Sequence, residues 1–283
     1  MDLNDITKHF ATPSASSFDV RPEQAISFFK AKGLKSTFNW NDMVGKEHAN
    51  AFTIAKMMDV DLLSQVKDSL QLAIDTGIPY EEWASGIKPL LEQKGWWGRK
   101  PMIDPVTGRT VMAQLGSPAR LETIFRTNLQ SAYAQGQWDV MQAQAENFPY
   151  LMYDAVDDDR TRPEHRAWDG TILPITSEWW KTHTPPCGYN CRCSLIQMDI
   201  NDVESLGLTV SDEPKVTYYN WINPRTGVEF KVPTGVDPTF GQPAHERIDR
   251  IQVTLAEKIN AQDSDIQPYS QKGVQETLNV ANT

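Results

Sequence analysis

The sequence predicts an α+β fold, and three observations carry that prediction. Apolar residues recur at spacings of three and four through much of residues 21–146, the period of helices buried on one side. Beyond residue 149 the pattern changes to short runs rich in aromatic and branched side chains, separated by Asp, Gly and Pro turns, as strands require. The chain is 40% apolar over 283 residues, enough for a sizeable core. The architecture expected is a helical N-terminal region, then a long helix packed on a small antiparallel sheet with a Cys-rich turn, then a β-hairpin and a C-terminal helix. The segments divide as 1–44 (arm and short helix), 45–116 (helical), 117–200 (core) and 201–283 (hairpin, helix and tail).

Residues 1–20 are mixed and rich in Ser and Thr, an arm rather than an element. A helix is expected from Arg21-Pro22 to Lys32, stopped by Gly33. A longer one is expected over residues 46–76, interrupted near residues 59–61. Phe52, Ala55, Leu62, Val66, Leu70 and Ala73 form its stripe, and Gly77 with Pro79 ends it. Residues 80–93 form the next helix, with Trp83, Ile87, Leu90 and Leu91 inward. Asp104-Pro105 and Thr107-Gly108 mark a loop or hairpin over residues 99–116. Ser117-Pro118 is a helix start, because Ser caps and Pro lacks only an N–H that the first turn does not need. That helix runs to about residue 146 with Leu121, Ile124, Phe125, Leu129, Ala132 and Gly136 inward. Strands are expected at 150–156, 171–175 and 191–198, with one helical turn at 163–168. A hairpin follows over 216–222 and 228–232, turning at Asn223-Pro224-Arg225-Thr226-Gly227. Ile248, Ile251, Leu255 and Ile259 mark a last helix before a polar tail.

The charge balance, 27 basic against 37 acidic residues, excludes a general nucleic-acid binder. Residues 1–98 hold one Arg and nine Lys, whereas residues 99–200 hold eight Arg and two Lys. Arg makes planar paired contacts, so the middle segment is a place of fixed polar bonds, either internal ion pairs or phosphate contacts. No apolar run is long enough to cross a membrane, and the first residues lack the pattern of a signal peptide. Synthesis in the cytoplasm is therefore expected. Two tryptophan doublets, Trp96-Trp97 and Trp179-Trp180, leave one ring of each open to an interface role, with core filling the commoner use of such rings.

Three cysteines, all between Cys187 and Cys193, are too few and too crowded for a disulfide framework. Cys191 and Cys193 would face one side of a strand, and Pro185-Pro186 with Gly188 would turn Cys187 toward them. His165 and His183 are the nearest imidazoles. Three Cys and one His complete a tetrahedral zinc site, and an Asp of the run Asp157–Asp159 could replace one ligand. Two other readings stay open: inert buried thiols, and a nucleophilic Cys paired with His165 or His183. The chain shows no phosphate-binding Gly-rich loop, no H-E-x-x-H and no G-x-S-x-G.

Several ordered motifs are shared with one family. They are Tyr153-Asp154-Ala155-Val156-Asp157-Asp158; Arg160-Thr161-Arg162-Pro163-Glu164-His165; Asp169-Gly170; Pro185-Pro186 with Gly188; and Asn190-Cys191-Arg192-Cys193. The helix carrying Arg126-Thr127-Asn128 and Ala132-Tyr133 with Gly136 precedes them. Farther out stand Ala51–Lys56, Leu90-Leu91, Lys94–Gly98 and Val232–Phe240. Together these resemble the phage Mu F-like minor head proteins, also called head morphogenesis proteins, over residues 45–245. Cys187 departs from the Asn that many members carry there. The family's recurring polar set maps onto Asp157, Arg162, His165, Asp169, Cys191 and Cys193. A structural zinc on His165, Cys187, Cys191 and Cys193 is the metal expectation, with Asp157, Arg162 and Asp169 as a polar network.

The resemblance implies a minor component of the virion head, made in the host cytoplasm. It would act in head morphogenesis through contacts with portal, capsid or scaffold proteins, near the portal or inside the shell. It implies binding rather than catalysis, no membrane, and at most weak DNA contact through an arginine patch of Arg99, Arg109, Arg120 and Arg126. The competing expectations are a zinc- or cysteine-dependent hydrolase or nuclease, and a metal-stapled DNA-binding module of the head.

Overall fold

A computed structural model describes residues 22–44 and 50–240. The arm expected at 1–20, the last helix around residues 248–259 and the polar tail lie outside the described residues.

The first helix, α1 (Glu23–Ala31), buries Ala25 and Phe29. Strand β1 (Gly33–Leu34) pairs in parallel with β2 (Ala51–Phe52). Helix α2 is Val60–Thr76. The long helix expected over 46–76 thus begins at the predicted break. The Asp59 carboxylate accepts from the N–H groups of Asp61 and Leu62 and so caps the helix. Phe52 lies on the predicted stripe but is buried through its strand instead. Gly77 closes α2 at φ 71°, a left-handed position suited to glycine. Helix α3 (Tyr80–Gln93) packs on α2, and its buried Trp83 indole donates to the Ser69 hydroxyl at 3.0 Å. Strands β3 (Arg99–Ile103) and β4 (Thr110–Gln114) form the first hairpin.

Helix α4 (Pro118–Ala143) starts as the Ser117-Pro118 pair requires, with the Ser117 hydroxyl accepting the Arg120 N–H. Its length joins two cores. Leu121, Ile124, Phe125 and Ala132 fill the first, together with α1, α2 and α3. Trp138 and Met141 fill the second. There α4 meets an antiparallel sheet of order β6-β5-β7, comprising β5 (Tyr150–Asp154), β6 (Ile172–Pro174) and β7 (Ser194–Met198). Helices α5 (Pro163–Trp168) and α6 (Trp180–His183) lie in the connections, and α7 (Ile200–Ser205) follows β7. Strands β8 (Tyr218–Ile222) and β9 (Glu229–Pro233) make the second hairpin.

Two expectations are corrected. Trp179 and Trp180 are each about 1% exposed and belong to the second core, so that doublet leaves no ring for an interface. The strand expected from residue 191 begins at Ser194. Cys191 and Cys193 sit on the preceding turn, where Asn190 takes φ 58° and the Cys191 N–H bonds the Gly188 carbonyl.

Candidate metal centre

The second core holds the polar centre. Pro163 starts α5, and this short helix buries His165. Asp169 just beyond it accepts the Ala155 N–H at 2.8 Å, while the Gly170 N–H donates to the Tyr153 carbonyl at 2.9 Å. These bonds fasten α5 to β5. The cysteine turn reaches the same place from the other side, because Ser194 pairs with Asp154 across the sheet.

His165 Nδ1 lies 3.7 Å from the Cys191 sulfur and 3.5 Å from the Cys193 sulfur. Its Nε2 lies 2.9 Å from the Gly235 carbonyl oxygen. A carbonyl only accepts, so Nε2 carries the proton and Nδ1 presents a lone pair to both sulfurs. The three ligand atoms all fall within 4.8 Å of one another, and the residues are 1%, 2% and 7% exposed.

Cys187 is buried nearby, but its sulfur lies 3.5 Å from the His183 carbonyl and stands outside the convergent trio. His183 takes no part either: its ring stacks on Trp179 at 4.4 Å and its Nδ1 meets Thr182 and the Trp179 carbonyl. No Asp joins the trio among the described residues. Asp157 is exposed, and its neighbour Asp158 receives both Arg192 amino groups at 2.5 and 2.6 Å. Arg162 donates to the Tyr189 carbonyl at 2.9 Å and thereby holds the turn.

The electrostatics separate these thiols. Burial pushes Cys187 up to about 12. The hydrogen bond with Cys191, then burial, pushes Cys193 up to about 12, while the same bond draws Cys191 down. Burial lowers His183 to about 4. The Arg192 pair holds Asp158 well below the usual carboxylate range.

Sequence reasoning missed the outer wall of the centre. Residues 233–240 form a strap across it. Besides Gly235, the Asp237 N–H donates to the Cys187 carbonyl, and Phe240 meets Tyr189 edge-on at 5.1 Å. Gly235 has φ 84°, and a Cβ there would stand 2.6 Å from the Trp168 ring. Trp168 in turn stacks on His165 at 5.1 Å. A cleft of about 210 Å³ between α4 and the turn is lined by Tyr133, Trp138, Pro186 and Cys193 but does not reach His165.

Of the expected arginine patch only Arg120 is used inside the protein, while Arg99, Arg109 and Arg126 are exposed. Arg120 donates to the carbonyls of Ala55, Gln114 and Leu115 and lies over the Trp96 ring, and burial lowers it to about 10. Arg126 pairs with Glu122 on α4.

An α+β domain closed by this His–Cys–Cys turn has known relatives. Residues 64–196 match the family described as "Phage Mu protein F like protein", and the chain belongs to that family. Over 190 residues it is 38% identical to the "Putative capsid assembly protein F" of Escherichia phage Mu, covering 67% of this chain and 43% of that protein. Over 178 residues it is 35% identical to the "Mu-like prophage FluMu F protein" of Haemophilus influenzae, covering 63% and 42%. The chain spans less than half the length of these relatives. No solved structure gives a significant match.

Proposed function

We propose that this protein acts in phage head morphogenesis as a minor head component, through contacts with portal, capsid or scaffold proteins near the portal or inside the shell. The observation that carries the reading is its 38% identity to a protein named for capsid assembly. The surface supports binding to protein rather than to DNA. The net charge is −10, and Arg120, Arg192 and Arg225 are committed to partners within the chain. The two hairpins also present large apolar side chains, among them Ile103, Val106, Met112, Tyr218 and Ile222. The reading is of binding without turnover, and the burial of the centre's ligand atoms favours it over a hydrolase, which needs substrate access.

The test is proximity cross-linking in intact procapsids and virions. Cross-links to portal, shell or scaffold proteins are expected. Absence of the protein from both particles overturns the reading. A companion measurement is DNA binding by gel shift: any retardation should vanish by ~200 mM salt, as few phosphate contacts require. Tight binding above that salt would instead favour the DNA-binding alternative.

A further inference from the structure

We propose that His165 Nδ1 and the sulfurs of Cys191 and Cys193 hold one zinc ion, and that the Gly235 carbonyl orients the imidazole from behind. Three independent features converge on this site.

The first is spacing. A tetrahedral zinc with Zn–N near ~2.0–2.1 Å and Zn–S near ~2.3 Å separates an imidazole nitrogen from a thiolate sulfur by about 3.6 Å. The two separations here are 3.5 and 3.7 Å. The second is the tautomer. Metal-bound imidazoles give their other N–H to a carbonyl or carboxylate, which fixes the ring and leaves the ligating nitrogen bare. His165 has that arrangement, with Gly235 as the acceptor. The third is an orphaned group. Tyr153 is fully buried and its hydroxyl faces the thiols of Cys187 and Cys193, yet it makes no hydrogen bond of good geometry. Such a group usually has a partner, and the Cys193 thiolate that a bound zinc would create is a stronger acceptor for it than a thiol. The ligand chemistry selects the ion, since two thiolates and an imidazole suit zinc and leave hard cations such as magnesium or calcium unfavoured.

The ion would clamp four pieces: α5, the cysteine turn, β5 through Tyr153, and the strap at Gly235. The connections here are long and the strands short, so metal binding would contribute directly to folding.

The probes are zinc itself and cobalt(II). The full chain, purified without chelator, is assayed for metal by native mass spectrometry and elemental analysis. One equivalent of zinc is expected. Cobalt(II) added to the metal-free chain should give an intense near-ultraviolet thiolate charge-transfer band with tetrahedral visible absorption. Cys187→Ser should keep one equivalent, because its sulfur faces the His183 carbonyl. Cys191→Ser and Cys193→Ser should each lower affinity at least tenfold, with circular dichroism recording whether they fold. The wild-type cobalt spectrum stands whether or not those variants fold. Absence of stoichiometric zinc together with absence of the cobalt–thiolate band overturns the site. Loss of the ion in folded Cys187→Ser overturns the three-residue ligand set.

Discussion

His165 is fixed at both ring nitrogens, and each bond comes from a different stretch of chain. Gly235 supplies one acceptor from 70 residues downstream, while Cys191 and Cys193 face the other nitrogen. Gly235 can do this only without a side chain, because φ 84° is left-handed and a Cβ would meet Trp168 and Glu164. Gly235→Ala should therefore destabilise the protein by about 1–3 kcal/mol. Urea unfolding reads this directly, and an unchanged midpoint would show that the strap adjusts without cost. The cysteine cluster was legible in the sequence because its members share a short segment, whereas His165 was set apart from the nearer His183 only by the family's recurring polar set. The exclusion of Cys187 was not, since a four-residue spacing allows either orientation of its sulfur. Neither Gly235 nor Trp168 carried a ligand-like signal of its own. Only the family likeness of residues 232–240 pointed there.

Helix α4 connects the two cores, and Gly136 sits between its two buried faces. A Cβ at Gly136 would lie 2.9 Å from the Ala25 backbone nitrogen of α1, so the helices meet at backbone distance. Gly136→Ala should loosen α1 even though alanine favours helix, with a net loss of roughly 1–3 kcal/mol from the clash. Hydrogen exchange of α1 amides measures it, and stabilisation instead would mean that the helices part freely. Elements with local signals were the legible ones. Ser117-Pro118 starts α4 and Gly77 stops α2 as their chemistry demands. The start of α2 was misplaced because Phe52 and Ala55 fit a helical period, while the pairing of Ala51–Phe52 with Gly33–Leu34 is a long-range event that no local pattern encodes.

At the scale of the molecule, Arg225 joins three distant segments. It leaves the turn of the second hairpin, pairs with Asp104 at 2.6 and 3.1 Å in the first, and reaches Asp42 near the N-terminal turn. Asp104 is drawn down to about 2 from its ordinary 3.8, chiefly by the Arg225 hydrogen bond. A carboxylate lowered on folding stabilises the fold above its unfolded value and loses that effect as the pH falls through the folded one. The melting-temperature gap between wild type and Asp104→Asn should therefore be full above about pH 4 and shrink toward pH 2. A gap that stays constant across that interval would remove the pair from the stability of the fold. The α+β class was legible because the hydrophobic period changes along the chain, whereas this arginine gave no sign of its partners, which lie far away in sequence. The strap has a separate consequence for truncation. The family match closes at residue 196, but the acceptor for His165 lies at Gly235. A chain cut back to the matched stretch would keep the histidine and both cysteines and lose the carbonyl that orients the ring.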